Sequence, residues 1–332
     1  MKLANQAYSV AIRTLGLNSE VLRRELQSIF LQTVKPEKVV VYIAEGYDIP
    51  AFRVGTEEYV VTRKGMVAQR AVEYKEISTP LILMLDDDVA LAPYSVERLL
   101  RALDEHSLDC IAADTFANHR LPLKAKLIAA FSNLTFPHHS HKYAFRMRSN
   151  GSFSYICKPH KDVYLSQTAA GPCSLWRKDA LLATSFADEL WMDRLGFAYN
   201  DDGMEFYKLH TNGGRLGVHF CCGVSNEEAR TMSDSYRSDP RRFALRTRAI
   251  YLCWHRSLYQ PESRSLRRGV LWLSFWTKAL WLLPVHIITA AMMRNPHIPM
   301  LYIKGLREGI AYTRTAEYKS LPPYRKSTEL PD

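Results

Sequence analysis

Leu81-Ile82-Leu83-Met84-Leu85-Asp86-Asp87-Asp88-Val89 decides how this chain folds. Five apolar residues behind Pro80 have the pattern of a strand buried on both faces. The run then breaks into three adjacent carboxylates, which repel one another unless a cation or a reaction uses them. Alternate side chains of a strand share a face, so Asp86 and Asp88 fall on one side. Two hard oxygen donors at the carboxyl end of a sheet suit Mg²⁺ or Mn²⁺ shared with a diphosphate. The competing reading is a solvated acidic turn. The buried strand before the triplet and the helical spacing of Val96, Leu99, Leu100 and Leu103 after it weigh against that.

The segments around this strand repeat its pattern. Tyr8-Ser9-Val10-Ala11-Ile12 and Val39-Val40-Val41-Tyr42-Ile43 are apolar strands, and Cys110–Ala113 and Leu216–Val218 extend the set. Asn18 caps a helix whose Leu22, Leu26, Ile29 and Phe30 share a face, and Pro36 stops it. Residues 66–77 read as a second helix. Near-continuous apolar strands alternating with helices predict an α/β fold with a parallel sheet covered on both faces. Ligands of such sheets bind at the carboxyl ends of the strands. Residues 116–170 are less regular. Their His138, His139, His141, Cys157 and His160 match no zinc spacing and read as polar loop residues.

The 332 residues are 47% hydrophobic and 23% charged, which excludes a disordered chain, a collagen-like repeat and a small disulfide scaffold. The net charge of +10 is uneven. Residues 1–229 carry 26 Lys+Arg against 27 Asp+Glu, whereas residues 230–332 carry 18 against 7. Four of the six Trp (Trp254, Trp272, Trp276, Trp281) lie in that basic third, which predicts an anionic surface as partner. Gly269–Met293 is apolar enough to span a bilayer. Its polar stripe of Ser274, Thr277 and Lys278, its Pro284 and His286, and its flanking Arg264, Arg267, Arg268 and Arg294 favour a helix lying in the headgroup layer. The expected organisation is a catalytic domain over 1–230 and a basic helical region over 231–332. The expected location is the cytoplasmic face of a membrane, attached peripherally through 264–294, with a single span or a buried soluble helix as the alternatives. Deleting 264–332 should then release a folded enzyme. Six Cys without a Cys-x-x-Cys pair fit reduced thiols in a cytosolic compartment.

In order along residues 8–220, several segments resemble the family 2 glycosyltransferases. Tyr8–Gly16 looks like the family's opening strand and Thr-containing turn. Leu22–Thr33 is similar to its first helix, and Lys64-Gly65 with Gln69-Arg70 to its Gly-led helix start. Leu85–Val89 is similar to the Asp-x-Asp segment, and Gly171–Arg177 to the acceptor segment. Asn200-Asp201-Asp202-Gly203 resembles the Glu-Asp motif, followed by Lys208-Leu209 and by Gly213 to Leu216. The resemblance implies the A-type nucleotide-sugar fold (GT-A), a Rossmann-like mixed sheet flanked by helices, here with a C-terminal basic, Trp-rich, membrane-associating helical appendage. Two departures stand out. Ala44-Glu45-Gly46 replaces the Asp pair that usually ends the second strand, and Asp201 shortens the first acid of the Glu-Asp motif.

The resemblance implies an inverting, metal-dependent transfer of a sugar from a nucleotide-diphosphate sugar to a hydroxyl of a glycan or lipid-linked acceptor, in assembly of a polysaccharide or cell-surface glycan. It implies Asp202 as the base, with Asp201 beside it. Thr14, Glu45, Arg70, Asp86 and Asp87 would contact the nucleotide-sugar, and Asp86, Asp88 and His219 the Mg²⁺ or Mn²⁺. Trp254-His255-Arg256 could close over the diphosphate or anchor the appendage. Two other classes compete. A nucleotidyltransferase usually brings a Gly-rich phosphate loop, for which Thr14-Leu15-Gly16-Leu17 is a poor match. A non-catalytic membrane or nucleic-acid module leaves the carboxylates without a role, and no nucleic-acid partner is expected.

Overall fold

The computed structural model describes residues 7–115, 122–124, 127, 130–131, 142–156, 158–226, 239 and 241–325. His138, His139, His141, Cys157 and the expected boundary at residue 230 lie outside them. An eight-stranded sheet forms the centre, in the order β3-β2-β1-β4-β10-β6-β11-β9. Its strands are β1 (Tyr8–Thr14), β2 (Lys38–Ala44), β3 (Glu58–Thr62), β4 (Leu81–Asp86), β6 (Cys110–Ala113), β9 (Val163–Ser166), β10 (Cys173–Arg177) and β11 (Leu216–His219). Two small hairpin-like sheets pair β5 (Val89–Leu91) with β12 (Val224–Asn226), and β7 (Phe145–Met147) with β8 (Phe153–Tyr155).

The uninterrupted apolar strands reflect two cores. On one face, Val10 and Ile12 of β1, Val39 and Val41 of β2, and Leu83 and Leu85 of β4 pack with Leu22, Leu26 and Ile29 of α1 (Ser19–Phe30) and with α3 (Ser95–Glu105). On the other, Ala11, Val40, Tyr42, Ile82 and Met84 meet Trp176 and Phe206, whose rings stack at 5.3 Å. Each large side chain so buried contributes about 1.5–3 kcal/mol. Asn18 Oδ1 accepts from Val21 N at 3.3 Å and caps α1 as its position predicts.

The sheet is mixed, not wholly parallel. β1 is parallel to β2 and β4, but β10 runs antiparallel to both β4 and β6, and β9 antiparallel to β11. Composition could not give this direction, because Cys173, Ser174, Leu175 and Trp176 are buried on both faces as a parallel strand would be. The second helix, α2 (Met66–Arg70), is also shorter than its spacing predicts. The chain leaves it at Ala71, and Tyr74 adopts a left-handed φ of 50°, which no continuing helix allows.

Two short helices, α4 (Lys178–Leu182) and α5 (Trp191–Arg194), precede α6 (Asp201–Thr211). The C-terminal part consists of α7 (Arg242–Trp254), a π-helical turn over His255–Tyr259, α8 (Ser265–Met292), α9 (Ile298–Tyr312) and α10 (Ala316–Ser320). It shares a core with the sheet domain. Trp254, Phe275, Tyr318 and Tyr324 cluster with Val67, Trp191 and Met204, and Trp254 stacks on Phe275 at 4.2 Å. Arg256, fully buried, holds Glu189 at 3.0 Å, and Trp254 Nε1 donates to Ser149 O at 2.9 Å. Trp254-His255-Arg256 therefore anchors the appendage. Removing 264–332 would strip Phe275, Tyr318 and Tyr324 from this core, so the expected clean release of a folded enzyme does not follow.

α8 is the one helix among the described residues long and apolar enough to cross a membrane. Its polar stripe turns partly inward: Ser274 Oγ lies 2.8 Å from Ser149 Oγ, and Lys278 Nζ donates to Ser152 Oγ at 2.5 Å. Trp272, Leu273, Leu280, Trp281, Ile287 and Ile288 are left exposed. The five described cysteines, Cys110, Cys173, Cys221, Cys222 and Cys253, are free thiols.

Candidate active site

A cleft of about 780 Å³ opens at the carboxyl ends of β1 and β4. The parallel register sets Arg13 of β1 opposite Asp86 of β4, and Arg13 Nη2 binds Asp86 Oδ1 at 2.5 Å. The same nitrogen lies 3.4 Å from Gly171 O, while Arg13 Nε and Nη1 are buried without a hydrogen bond. Thr14 Oγ1 donates to Asp87 Oδ2 and accepts from Gly16 N at 2.7 Å. Burial pushes the Asp87 carboxyl up, against the pull of the Thr14 bond. Asp88 is half-buried and lines the same cleft. Behind the triplet, Glu25 of α1 is fully buried. Burial, then the charges of Asp87, Asp86 and Asp88, hold its carboxyl well above the ordinary range.

Arg70 ends α2 and joins the two acidic segments. Its Nε lies 2.6 Å from Asp201 Oδ2, its Nη1 3.7 Å from Glu205 Oε2 and its Nη2 3.8 Å from Asp86 Oδ1. Burial works against its charge, and Asp201, Asp86, Asp202 and Glu205 outweigh burial, so its pKa rises. The start of α2 is fixed by Asp193, which accepts from Val67 N at 3.1 Å and Ala68 N at 2.8 Å. Gly65 allows that approach, since a Cβ there would lie 2.3 Å from Asp193 Oδ2. Gln69 Nε2 donates to Thr14 O at 3.0 Å and ties the helix to β1.

Asn200 takes a left-handed φ of 69° and turns the chain into α6, which opens with Asp201 and Asp202. Asp201 faces inward to Arg70. Asp202 lines the cleft and accepts from Gly203 N at 2.7 Å and Gly171 N at 2.9 Å. Burial, then the charge of Asp201, raises its pKa, with Arg70 and the two backbone bonds opposing. A Cβ on Gly171 would fall 2.6 Å from Asp202 Cβ and 2.9 Å from Arg70 Nη2, so only glycine fits between them.

Two expected residues sit elsewhere. Glu45 is exposed at the turn after β2, where its Oε1 accepts from Lys64 N at 3.3 Å, and it does not line the cleft. His219 ends β11, three strands from β4 and so about 14 Å across the sheet. Its Nδ1 accepts from Cys221 N at 3.2 Å, and burial lowers its pKa although Asp162 pulls the other way. Among its polar lining residues, Arg13, Tyr199 and Asn226 were given no role by the motifs. A charged residue within an apolar strand was a readable signal for Arg13. Asn226 is brought in by the pairing of β12 with β5, opposite Val89, which no local pattern announces.

This chain has a glycosyltransferase fold. The mannosyltransferase PcManGT from Pyrobaculum calidifontis, solved with GDP-Man and Mn²⁺, superposes with a TM-score of 0.51 at 11% identity, over 91% of this chain and 86% of that one. S. aureus TarS 1–349, solved with UDP-GlcNAc, superposes with a TM-score of 0.51 at 13% identity, over 92% and 80%. No protein-family model matches the sequence, and no curated protein does.

The donor set of the cleft fits a hard divalent cation. Asp86, one of whose oxygens binds Arg13, and Asp88 both bring carboxylates to the lining of the cleft. Among the described residues no group of three or more His, Cys, Asp or Glu converges to hold an ion unaided. Mg²⁺ and Mn²⁺ tolerate such an incomplete set, because substrate phosphates and waters complete it.

Proposed function

We propose that this protein is an inverting, metal-dependent glycosyltransferase of the family 2, GT-A type. It moves a sugar from a nucleotide-diphosphate sugar to a hydroxyl of a glycan or lipid-linked acceptor at the cytoplasmic face of a membrane. One observation carries the reading: the cleft gathers the Asp86–Asp88 triplet, two buried arginines and Asp202, a carboxyl with raised pKa, around a single space. In this reading Asp202 takes the proton from the acceptor hydroxyl as that oxygen attacks the anomeric carbon. Attack from the face opposite the leaving diphosphate inverts that centre. Asp201, held by Arg70, positions Asp202 and raises its basicity. Arg13 and Arg70 put positive charge on the cleft floor, where a diphosphate would lie. A divalent ion held by Asp88 and Asp86 would supply further charge neutralisation to the departing diphosphate. The exposed apolar side of α8 supports peripheral attachment, with Trp272 and Trp281 at headgroup depth.

The test is the melting temperature against a panel of sugar nucleotides, starting with GDP-Man and UDP-GlcNAc, with and without Mn²⁺. A specific ligand raises it by mass action. One donor should give a Mn²⁺-dependent rise that Asp88→Ala abolishes. No shift with any donor beside a clear shift with nucleic acid would replace this reading by a binding module.

A further inference from the structure

Glu205 of α6 is a buried acid to which the chemistry above gives no task. It is 1% exposed, follows Asp201 by one helical turn and is not among the residues lining the cleft. Its Oε2 lies 3.7 Å from Arg70 Nη1, beyond hydrogen-bond reach, and its Oε1 is buried with no hydrogen bond. The closer contacts of the two cleft arginines go to other acids. Asp201 Oδ2 takes Arg70 Nε at 2.6 Å, and Asp86 Oδ1 takes Arg13 Nη2 at 2.5 Å.

Asp201 and Asp86 already balance Arg70 and Arg13, so a charge on Glu205 is the excess one. It is also the most deeply buried of the three carboxyls and the one with the longest contact. Asp202 is the other carboxyl that competes for a proton here. It differs in accepting from Gly203 N at 2.7 Å and Gly171 N at 2.9 Å, bonds that hold its ionised form. The titratable and charged groups acting on Glu205 are Arg13 of β1, Arg70 of α2, and Asp201 and Asp202 of its own helix. Tyr74, beyond α2, and Cys110 of β6 also face it. Burial pushes both of these up, so they stay neutral near neutral pH. Burial lifts the Glu205 carboxyl to about 7, where a small change in nearby charge moves its proton.

A diphosphate lying on Arg13 and Arg70 brings negative charge to the same cations that act on Glu205. We propose that Glu205 is a positioning residue that couples donor binding to proton uptake: as the diphosphate settles on Arg13 and Arg70, the Glu205 carboxylate takes one proton from solvent and becomes a neutral carboxyl. The arginines then meet the diphosphate without a competing charge behind them. When the diphosphate leaves, the proton returns to solvent and the Glu205 carboxylate faces the arginines again. Glu205 acts through Arg70 and Arg13 and touches no substrate. The inference rests on the nucleotide-sugar reading above but not on the membrane reading.

The experiment is titration calorimetry of the full chain with GDP-Man and with UDP-GlcNAc, Mn²⁺ present, in two buffers of equal pH and different heats of ionisation. The phosphates of a nucleotide sugar hold no proton that titrates near neutral pH, so the buffer-dependent heat counts protons gained by the protein. Wild type should take up about half a proton at a pH of about 7, the share of a group half-ionised there. Its affinity should weaken by up to about tenfold per pH unit above that point. Glu205→Gln, which keeps the neutral shape, should lose the uptake. At a pH of about 8 it should bind several-fold more tightly than wild type, which loss of a merely structural contact would not give. Asp202→Asn should keep the uptake. Equal heats in the two buffers overturn the proposal, and wild type alone decides this even if Glu205→Gln fails to fold. Uptake that vanishes in Asp202→Asn and survives in Glu205→Gln overturns it too, by moving the proton to the base. Binding of neither nucleotide sugar overturns the donor reading itself, so the two failures are distinguishable.

Discussion

Arg70 Nε stands 2.6 Å from Asp201 Oδ2, with both residues under a tenth exposed, so the end of α2 and the start of α6 are held by one buried ion pair. Neither partner has a solvated alternative. Truncation of Arg70 leaves Asp201 buried with its main counter-charge gone. Arg70→Met should cost about 3–5 kcal/mol in urea unfolding. A loss below about 1 kcal/mol, the range of a surface pair, would show that water replaces the guanidinium.

Asp202 should behave differently from its neighbour. Asp202→Asn keeps the shape but has no base, so turnover should fall by about 10²–10⁴ with donor binding retained. The base must be ionised to act, and burial with Asp201 raises its pKa. Wild-type turnover should therefore climb with pH over an acid limb displaced above the ordinary aspartate range. A pH–rate profile checks this, and an unchanged rate in Asp202→Asn would remove the base assignment.

Glu205 ties stability to pH. Burial raises its carboxyl to about 7, Arg70 and Arg13 opposing, from the 4.5 of an exposed group. Between those values the folded protein holds a proton that the unfolded chain has released. Stability from this group is therefore full below about 4.5 and declines as pH rises toward about 7, by up to about 3 kcal/mol. Glu205→Gln should flatten the decline, as read from denaturation midpoints across that window.

Gly171→Ala puts a methyl 2.6 Å from Asp202 Cβ. Relieving that overlap should cost about 1–3 kcal/mol and displace Asp202. Activity should fall by more than the lost stability explains, since about 1 Å of misplacement can cost ~10²-fold. Full activity with an unchanged melting temperature would show that the bend before β10 yields freely.

The exposed side of α8 can be tested without disturbing the core beneath it. Trp272 and Leu280 are 51% and 68% exposed, so Trp272→Ser with Leu280→Ser should leave the melting temperature nearly unchanged. The same pair should shift the protein from the membrane pellet to the supernatant, because each removes apolar area from the lipid contact. Retention in the pellet would assign attachment to another surface.

Much of this was readable from residues alone. The apolar strands, the Asn18 cap and the Asp triplet follow from local pattern and occur where that pattern puts them. Strand direction did not follow, because β10 is buried on both faces whichever way it runs. Arg70 was visible as a motif residue, but its pairing with Asp201 spans 131 positions and depends on the tertiary fold. The entry of Asn226 into the cleft depends equally on a remote pairing, that of β12 with β5. His219 shows the reverse: it follows the Asp pair closely in sequence, yet the strand order sets β11 three strands from β4 and its Asp triplet, and His219 is not among the cleft-lining residues.

The antiparallel course of β10 has an architectural consequence. β6 ends at Ala113 and β10 begins at Cys173, and both points lie on the edge of the sheet where β4 delivers its aspartates. The intervening chain leaves and re-enters the scaffold at neighbouring doorways above the reaction space. Its described ties to the rest of the fold include β9, the contacts of Ser149 and Ser152 with α7 and α8, and Gly171 beside Asp202. Change elsewhere in that segment would leave the pairing of β1, β4, β6 and β10, and so the strand ends that carry the aspartates, as they are.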